Sequence, residues 1–205
     1  RIQHRLDPVH AFHLSVERQL FSDRLSPCVI AISQRVREDI LRHYGGSGTT
    51  GIREENVKVI YNGVDLEEFS PARSSEERSH LRERLGLAPD DFVVLFVGTG
   101  IFRKGFKHLL RAGAILKNRG IKICILAMGR PGGRGGANRL AKQWKMQGNV
   151  RFTPTHEHPA NVYRAADLFC LPSLYEPFGF ACLEALASGL PCIVSRACGA
   201  AEILS

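Results

Sequence analysis

Asp167-Leu-Phe-Cys-Leu171, followed by Glu176-Pro-Phe-Gly-Phe-Ala-Cys-Leu-Glu184 and Ala185-Leu-Ala-Ser-Gly-Leu-Pro191, is the stretch from which the fold is read. The first run is apolar and predicts a buried strand. The second opens as a loop and becomes an apolar helix that stops at Gly189 and Pro191, as helices do. One carboxylate, Glu176, precedes the helix; another, Glu184, lies in its first turns. Gly179 stands where the helix begins. There the first backbone N–H groups lack intrahelical partners and the dipole is positive, which favours an anion. A phosphate flanked by two carboxylates that hold hydroxyl groups suits a sugar nucleotide. On spacing alone a plainer reading stays open, a buried strand–helix unit whose two Glu are a loop charge and a helix N-terminal charge.

Outward from this stretch the pattern alternates. Strands are predicted at residues 92–97, 121–127, 150–152 and 191–195, and helices at 105–119, 137–146 and 160–166. Such alternation predicts an α/β fold of right-handed βαβ units: a Rossmann-like parallel sheet with helices on both faces, over residues 91–205. Residues 1–61 read as part of a second α/β domain, with helices at 7–21 and 34–44 and strands at 27–33 and 57–61. Residues 62–90 read as a connector, in which a polar helix over 74–85 has few apolar positions and is expected on the surface.

The whole chain sets bounds on function. Its 205 residues are 44% hydrophobic and 23% charged, the balance of a globular protein. No run of about 18 apolar residues occurs, so no membrane-spanning helix is expected. The chain does not begin with Met and stops inside what reads as a starting helix, so both ends are expected to be boundaries within a longer protein. The net charge of +8 favours anionic partners. The basic residues read as scattered, however, with no block of five and no interleaved aromatics, so nucleic acid is not an expected partner. The six Cys include no Cys-x-x-Cys pair, and they read as buried thiols of a reducing cytosol.

Ligands of parallel sheets sit at the carboxyl ends of the strands. That rule selects three further loops. Gly98-Thr-Gly-Ile-Phe-Arg-Lys-Gly105 has Gly98 and Gly100 for tight turning, and Arg103 and Lys104 for a diphosphate, as planar fork and point charge. A solvated Arg-Lys pair is the plainer alternative. Gly129-Arg-Pro-Gly-Gly-Arg-Gly-Gly136 reads as a mobile loop. Thr153-Pro-Thr-His-Glu-His158 lacks a third metal ligand, so no metal is expected and His156 reads as a partner for a base. Together these loops bring two cations, a helix N-terminus and two carboxylates to one sheet edge.

The combination resembles the donor-binding domain of a retaining GT-B-fold glycosyltransferase of the group 1, or family 4, type. The resemblance rests on the paired-Glu stretch 176–184, on Arg103-Lys104-Gly105, on Tyr163-Arg-Ala-Ala-Asp167 and on the connector Asn62-Gly-Val-Asp65. The loop at 98–105 is similar to that of lipopolysaccharide-core hexosyltransferases, which use UDP-glucose or a similar donor. The resemblance implies a nucleotide-diphosphate sugar as donor, a glycan or lipid-linked molecule as acceptor, no metal or other cofactor, and a cytoplasmic location that leaves room for peripheral contact with the inner face of the membrane. It implies that Arg103 and Lys104 bind the diphosphate, with Gly98 and Gly100 in their loop. Gly179, Phe180 and Ala181 would offer backbone N–H groups, Glu184 would hold the ribose and Glu176 the transferred sugar. His156 falls where related enzymes place a base-stacking residue. Glu176, Arg103 and Lys104 are thus the expected catalytic groups. The resemblance also implies that the acceptor site and a His lining the reaction centre precede residue 1, so the chain alone is expected to bind nucleotide without transferring sugar.

Two other readings compete. A nicotinamide-dependent dehydrogenase is suggested by Gly98-x-Gly100, but Leu126-Ala-Met-Gly129 ends the second strand of the domain without the required acid. A non-catalytic nucleotide-binding or assembly module would keep the fold without the activity.

Overall fold

A computed structural model describes residues 8–21, 28–46, 51–129, 133–154 and 157–204, and the chain divides into two units, Arg1–Tyr61 and Asn62–Ser205. The first unit contains α1 (Pro8–Leu20), β1 (Val29–Ala31), α2 (Gln34–Tyr44) and β2 (Val57–Val59). β1 and β2 pair in parallel, Val29 opposite Val57. Ser33 caps α2 by accepting the Val36 N–H at 3.1 Å, as its position before an apolar-periodic run predicts. Ala31, Ile52 and Val57 form the buried centre, with Val36, Ile40 and Leu41 of α2 packed against it.

The second unit contains α3 (Ser75–Arg84), β3 (Phe92–Val97), α4 (Phe106–Asn118), β4 (Ile123–Met128), α5 (Gly133–Gln143), β5 (Val150–Phe152), α6 (Pro159–Ala165), β6 (Leu168–Leu171), α7 (Phe180–Ala187) and β7 (Cys192–Val194). Its five strands form one parallel sheet in the order β5-β4-β3-β6-β7. Val93–Phe96 and Ile123–Ala127 are buried throughout, as continuous apolar runs in a parallel sheet must be. α4 and α5 pack together on one face; α6 and α7 pack together, with α3 against α6. Right-handed crossovers account for the separation, because β3 to β5 step one way across the sheet and β6 to β7 the other.

Three readings are refined. α3 lies on the surface with most of its residues exposed, but one edge is buried: Leu81 and Arg82, followed by Leu85 and Leu87, join Phe69 in this unit's core. The cause is an ion network that apolar periodicity does not report. Asp167, at the foot of β6, accepts from Arg78 at 2.5 Å, from Arg82 at 3.2 Å and from the Val93 N–H at 2.7 Å. Arg82 also donates to the Ala88 and Asp91 carbonyls at 2.9 and 2.6 Å. Second, α5 begins inside the glycine-rich segment, at Gly133. A Cβ at Gly136 would come within 3.0 Å of Ile101 Cδ1, so a glycine there lets the helix approach the β3–α4 loop. Third, Cys28 is exposed, although Cys124, Cys170, Cys182 and Cys198 are buried. Burial pushes the Cys124, Cys170 and Cys198 thiols up to about 11, so none is a thiolate nucleophile near neutral pH.

Candidate active site

The sheet order places the switch point between β3 and β6. From β3 the chain steps outward to β4 and β5, then returns to β6 on the other side of β3. In open parallel sheets a binding cleft opens at the carboxyl ends of two such strands, where successive connections leave on opposite faces. The loops there are Gly98–Gly105 after β3 and Pro172–Gly179 after β6.

Glycine geometry brings the two loops together. At Gly105, φ is 74° and an added Cβ would lie 1.8 Å from the Pro172 carbonyl oxygen, so only glycine fits. The Leu174 N–H donates to the Arg103 carbonyl at 2.8 Å. Gly98 leaves the space that the Lys104 stem occupies, since a Cβ there would meet Lys104 Cδ at 2.3 Å. At Gly100 a Cβ would make only ordinary contacts, the nearest at 3.9 Å.

Both cations converge on one carboxylate. Lys104 Nζ lies 3.0 Å from Glu176 Oε2, and Arg103 Nη1 lies 3.3 Å from the same oxygen. Arg103 also donates to the Tyr175 carbonyl at 3.0 Å. The side chains of Glu176 and Lys104 are 11% and 17% exposed and that of Arg103 is 51% exposed, so the lysine is the inner cation and the arginine the outer one. Two positive charges on one negative leave a net positive site, which attracts an anion. The Glu176 backbone is pinned by the chain after β7: its N–H donates to the Ala197 carbonyl at 3.0 Å, and its carbonyl accepts the Gly199 N–H at 3.0 Å.

Gly179 starts α7 at φ 98°, with no side-chain cap. A Cβ there would meet Cys198 Sγ at 2.8 Å. Among the described residues neither the Phe180 nor the Ala181 N–H has an acceptor, so the helix start offers two free donors. Glu184 lies one turn further along α7, on the face it shares with Phe180. Its Oε2 accepts a hydrogen bond from the hydroxyl of Tyr163. Burial first, then the bond to Glu184, push the Tyr163 hydroxyl well above its usual value, so it stays protonated and remains the donor.

The structure thus brings Arg103, Lys104, Glu176 and Gly179 together on two adjoining loops, with Phe180 and Ala181 in the first turn of α7 and Glu184 one turn further along it. His156 lies outside the described residues. Its neighbour Glu157 is bound to Arg84 at 2.8 Å. The sequence reading missed Tyr163 as a site residue. Its signal was a tyrosine among small apolar residues, because a buried hydroxyl needs a partner.

Residues 77–205 match the model of the group 1 glycosyl transferases, and residues 1–68 match that of glycosyltransferase family 4. The chain belongs to the group 1 glycosyltransferases. This glycosyltransferase chain is 34% identical over 179 residues to an uncharacterized glycosyltransferase of Methanocaldococcus jannaschii, across 86% of its own length and 44% of the relative's. It is 34% identical over 192 residues to a D-inositol 3-phosphate glycosyltransferase of Streptomyces bingchenggensis, across 87% and 39%. It therefore spans less than half the length of either relative. Among solved structures, WaaG, a glycosyltransferase involved in lipopolysaccharide biosynthesis, superposes with a TM-score of 0.82 at 23% identity, covering 98% of this chain and 53% of WaaG. Anabaena HepE in complex with UDP-glucose gives 0.68 at 26% identity, covering 88% and 47%. The fold is the GT-B α/β fold with its parallel sheet.

Proposed function

We propose that this chain is the donor half of a retaining hexosyltransferase that uses a UDP-glucose-like donor and a glycan or lipid-linked acceptor. The observation that carries the proposal is the convergence of Lys104 and Arg103 on Glu176, beside the free N–H groups of Phe180 and Ala181. Cleaving the anomeric bond puts positive charge on the sugar and negative charge on the departing diphosphate. Lys104, Arg103 and the α7 N-terminus stabilise the latter. These side-chain cations supply the charge that a divalent metal provides elsewhere, so the reaction is proposed to be metal-independent. Glu176 holds the two cations in place before the donor arrives and hydroxyls of the transferred sugar afterwards. Glu184 holds the ribose. The binding of UDP-glucose by HepE, a relative in fold and sequence, supports the choice of donor.

Calorimetric titration of the chain with UDP, UDP-glucose, GDP and NADH tests the reading. Heat from UDP or GDP and none from NADH is expected, with no sugar transfer by this chain alone. Silence with both UDP and GDP overturns the donor site. Turnover by this chain alone overturns the assignment of the acceptor half to another region, and binding without transfer by the full-length protein marks a non-catalytic module.

Tyr163 gives a finer test. Its ring packs edge-on against Phe69 at 5.7 Å and tilted against Phe169 at 6.4 Å, so Tyr163→Phe keeps the packing and removes the bond to Glu184. UDP affinity is expected to fall about fivefold, the worth of one hydrogen bond of about 1 kcal/mol. An unchanged affinity with an unchanged melting temperature removes Glu184 from the nucleotide contacts.

A further inference from the structure

A third loop supports the two that form the candidate site. Residues 195–200 follow β7 and hold the β6–α7 loop at three points. Ser195 Oγ donates to the Ser173 carbonyl at 2.5 Å. Ala197 and Gly199 pair with the two backbone groups of Glu176. The Ala200 N–H at 2.7 Å and the Cys198 thiol at 3.0 Å both donate to the Phe178 carbonyl, which therefore keeps one donor if the other is lost. Ser173 has no such reserve. Among the described residues Ser195 is the only donor to its carbonyl, and its own buried hydroxyl has no partner. Ser195 is itself fixed, with its N–H on the Leu171 carbonyl at 3.3 Å and its carbonyl accepting the Cys198 N–H at 3.0 Å.

The Ser173–Leu174 peptide is a bridge. In a trans peptide the C=O and the N–H point in opposite directions. Here the C=O receives the Ser195 hydroxyl, and the Leu174 N–H donates to the Arg103 carbonyl at 2.8 Å. Hydrogen bonds in such a chain polarise and strengthen one another. The chain crosses the ends of β7, β6 and β3, which are neighbours in the sheet. One residue further on, the Tyr175 carbonyl accepts the Arg103 guanidinium at 3.0 Å. Both ends of Arg103, backbone and guanidinium, thus rest on the short segment that Ser195 anchors. Lys104 is held differently: its N–H donates to the Gly100 carbonyl at 3.0 Å within its own loop, and its stem fills the recess at Gly98.

We propose that Ser195 is a positioning residue that sets the aim of Arg103 at the donor diphosphate. The proposal rests on the donor-site reading above. Arg103 is the outer cation, with a half-exposed, rotamer-rich side chain that loses entropy when it is ordered. Residues 173–175 order it before the donor arrives. Without the Ser195 hydroxyl the donor must impose that order itself, and affinity falls accordingly.

Titration of the chain with UDP by calorimetry, and with uridine by ligand-observed NMR, tests this. Ser195→Ala is expected to weaken UDP binding about fivefold, the worth of one hydrogen bond. Uridine has no phosphate for Arg103, so its affinity should not change. Ser195→Thr keeps the hydroxyl and should restore the affinity for UDP. In an Arg103→Ala background, Ser195→Ala should weaken UDP no further, because a residue that acts through Arg103 has nothing left to aim. A serine with a purely structural role would weaken uridine together with UDP, and equally in both backgrounds. Either of those results overturns the proposal, as does full UDP affinity in Ser195→Ala. Hydrogen exchange reads the bridge without ligand or substitution: the Leu174 amide is expected to be protected, and free exchange there overturns the bridge. Silence of the unsubstituted chain towards UDP overturns the donor site and this role with it, whereas normal binding that is indifferent to Ser195 overturns this role alone.

Discussion

Lys104→Ala is expected to weaken UDP binding roughly a hundredfold, a loss of about 2–3 kcal/mol, while leaving the melting temperature nearly unchanged. The size follows from where the ammonium sits. Its side chain is 17% exposed, it lies 3.0 Å from Glu176 Oε2, and its stem runs through the space that Gly98 leaves open. A cation so shielded from water acts on a phosphate far more strongly than an exposed one. The small effect on stability follows from Arg103, which still faces Glu176 at 3.3 Å once the lysine is gone. Arg103→Ala should weaken UDP binding less, because its side chain is 51% exposed and its charge is better screened. Calorimetry on both variants checks the order. Unchanged affinity in Lys104→Ala removes the lysine from the site, and a larger loss in Arg103→Ala reverses the inner and outer roles.

The largest expected effect on stability belongs to Asp167→Asn, far from the candidate site. It should lower stability by about 3 kcal/mol and the melting temperature by roughly 8 °C. Asp167 gathers Arg78, Arg82 and the Val93 N–H, and Arg82 is buried, with a side chain only 7% exposed. Neutralising the carboxylate leaves a buried guanidinium without its counter-charge, which is the costly way to break such a pair. The pH dependence has a definite sign. Burial raises the Asp167 pKa, but the Val93 N–H and the two arginines outweigh it and hold the carboxyl below its usual range. Its contribution is therefore complete above the unfolded value of about 3.9 and is lost as pH falls through the lower folded value. The acid limb of the melting-temperature profile should accordingly be shallower in the variant. Asp90→Asn is the control, because its pair with Lys122 lies on the surface. Equal loss in the two variants would show that burial of Arg82 does not matter.

Much of the fold was legible because parallel strands are buried on both faces and stand out as apolar runs. Phe92–Val97 and Val150–Phe152 match their predicted limits residue for residue. The start of α7 was legible from Gly179, and Gly189 closes it at φ 77°. The buried edge of α3 was not legible, because Arg82, with four acceptors, buries as well as a leucine does while hydropathy counts it as surface. The first turn of α5 was missed because glycine reads as loop wherever close packing, rather than turning, demands it. Tyr163 escaped because its role depends on α6 and α7 lying side by side, 21 residues apart in sequence at the bond.

Residue types and local order belonged to the sequence alone: alternating βα units, two carboxylates around a glycine-started helix, an Arg-Lys pair after a strand, and a segment of 65 residues with no acid. Their meeting was decided by the tertiary structure. Sequence order does not dictate that β6 returns to lie beside β3, and that adjacency brings Lys104 and Arg103 onto Glu176 across 72 and 73 residues of chain. Nor does it say on which side of the sheet each helix packs. The right hand of the crossovers sets that, by sending α4 and α5 to one side of the sheet and α6 and α7 to the other.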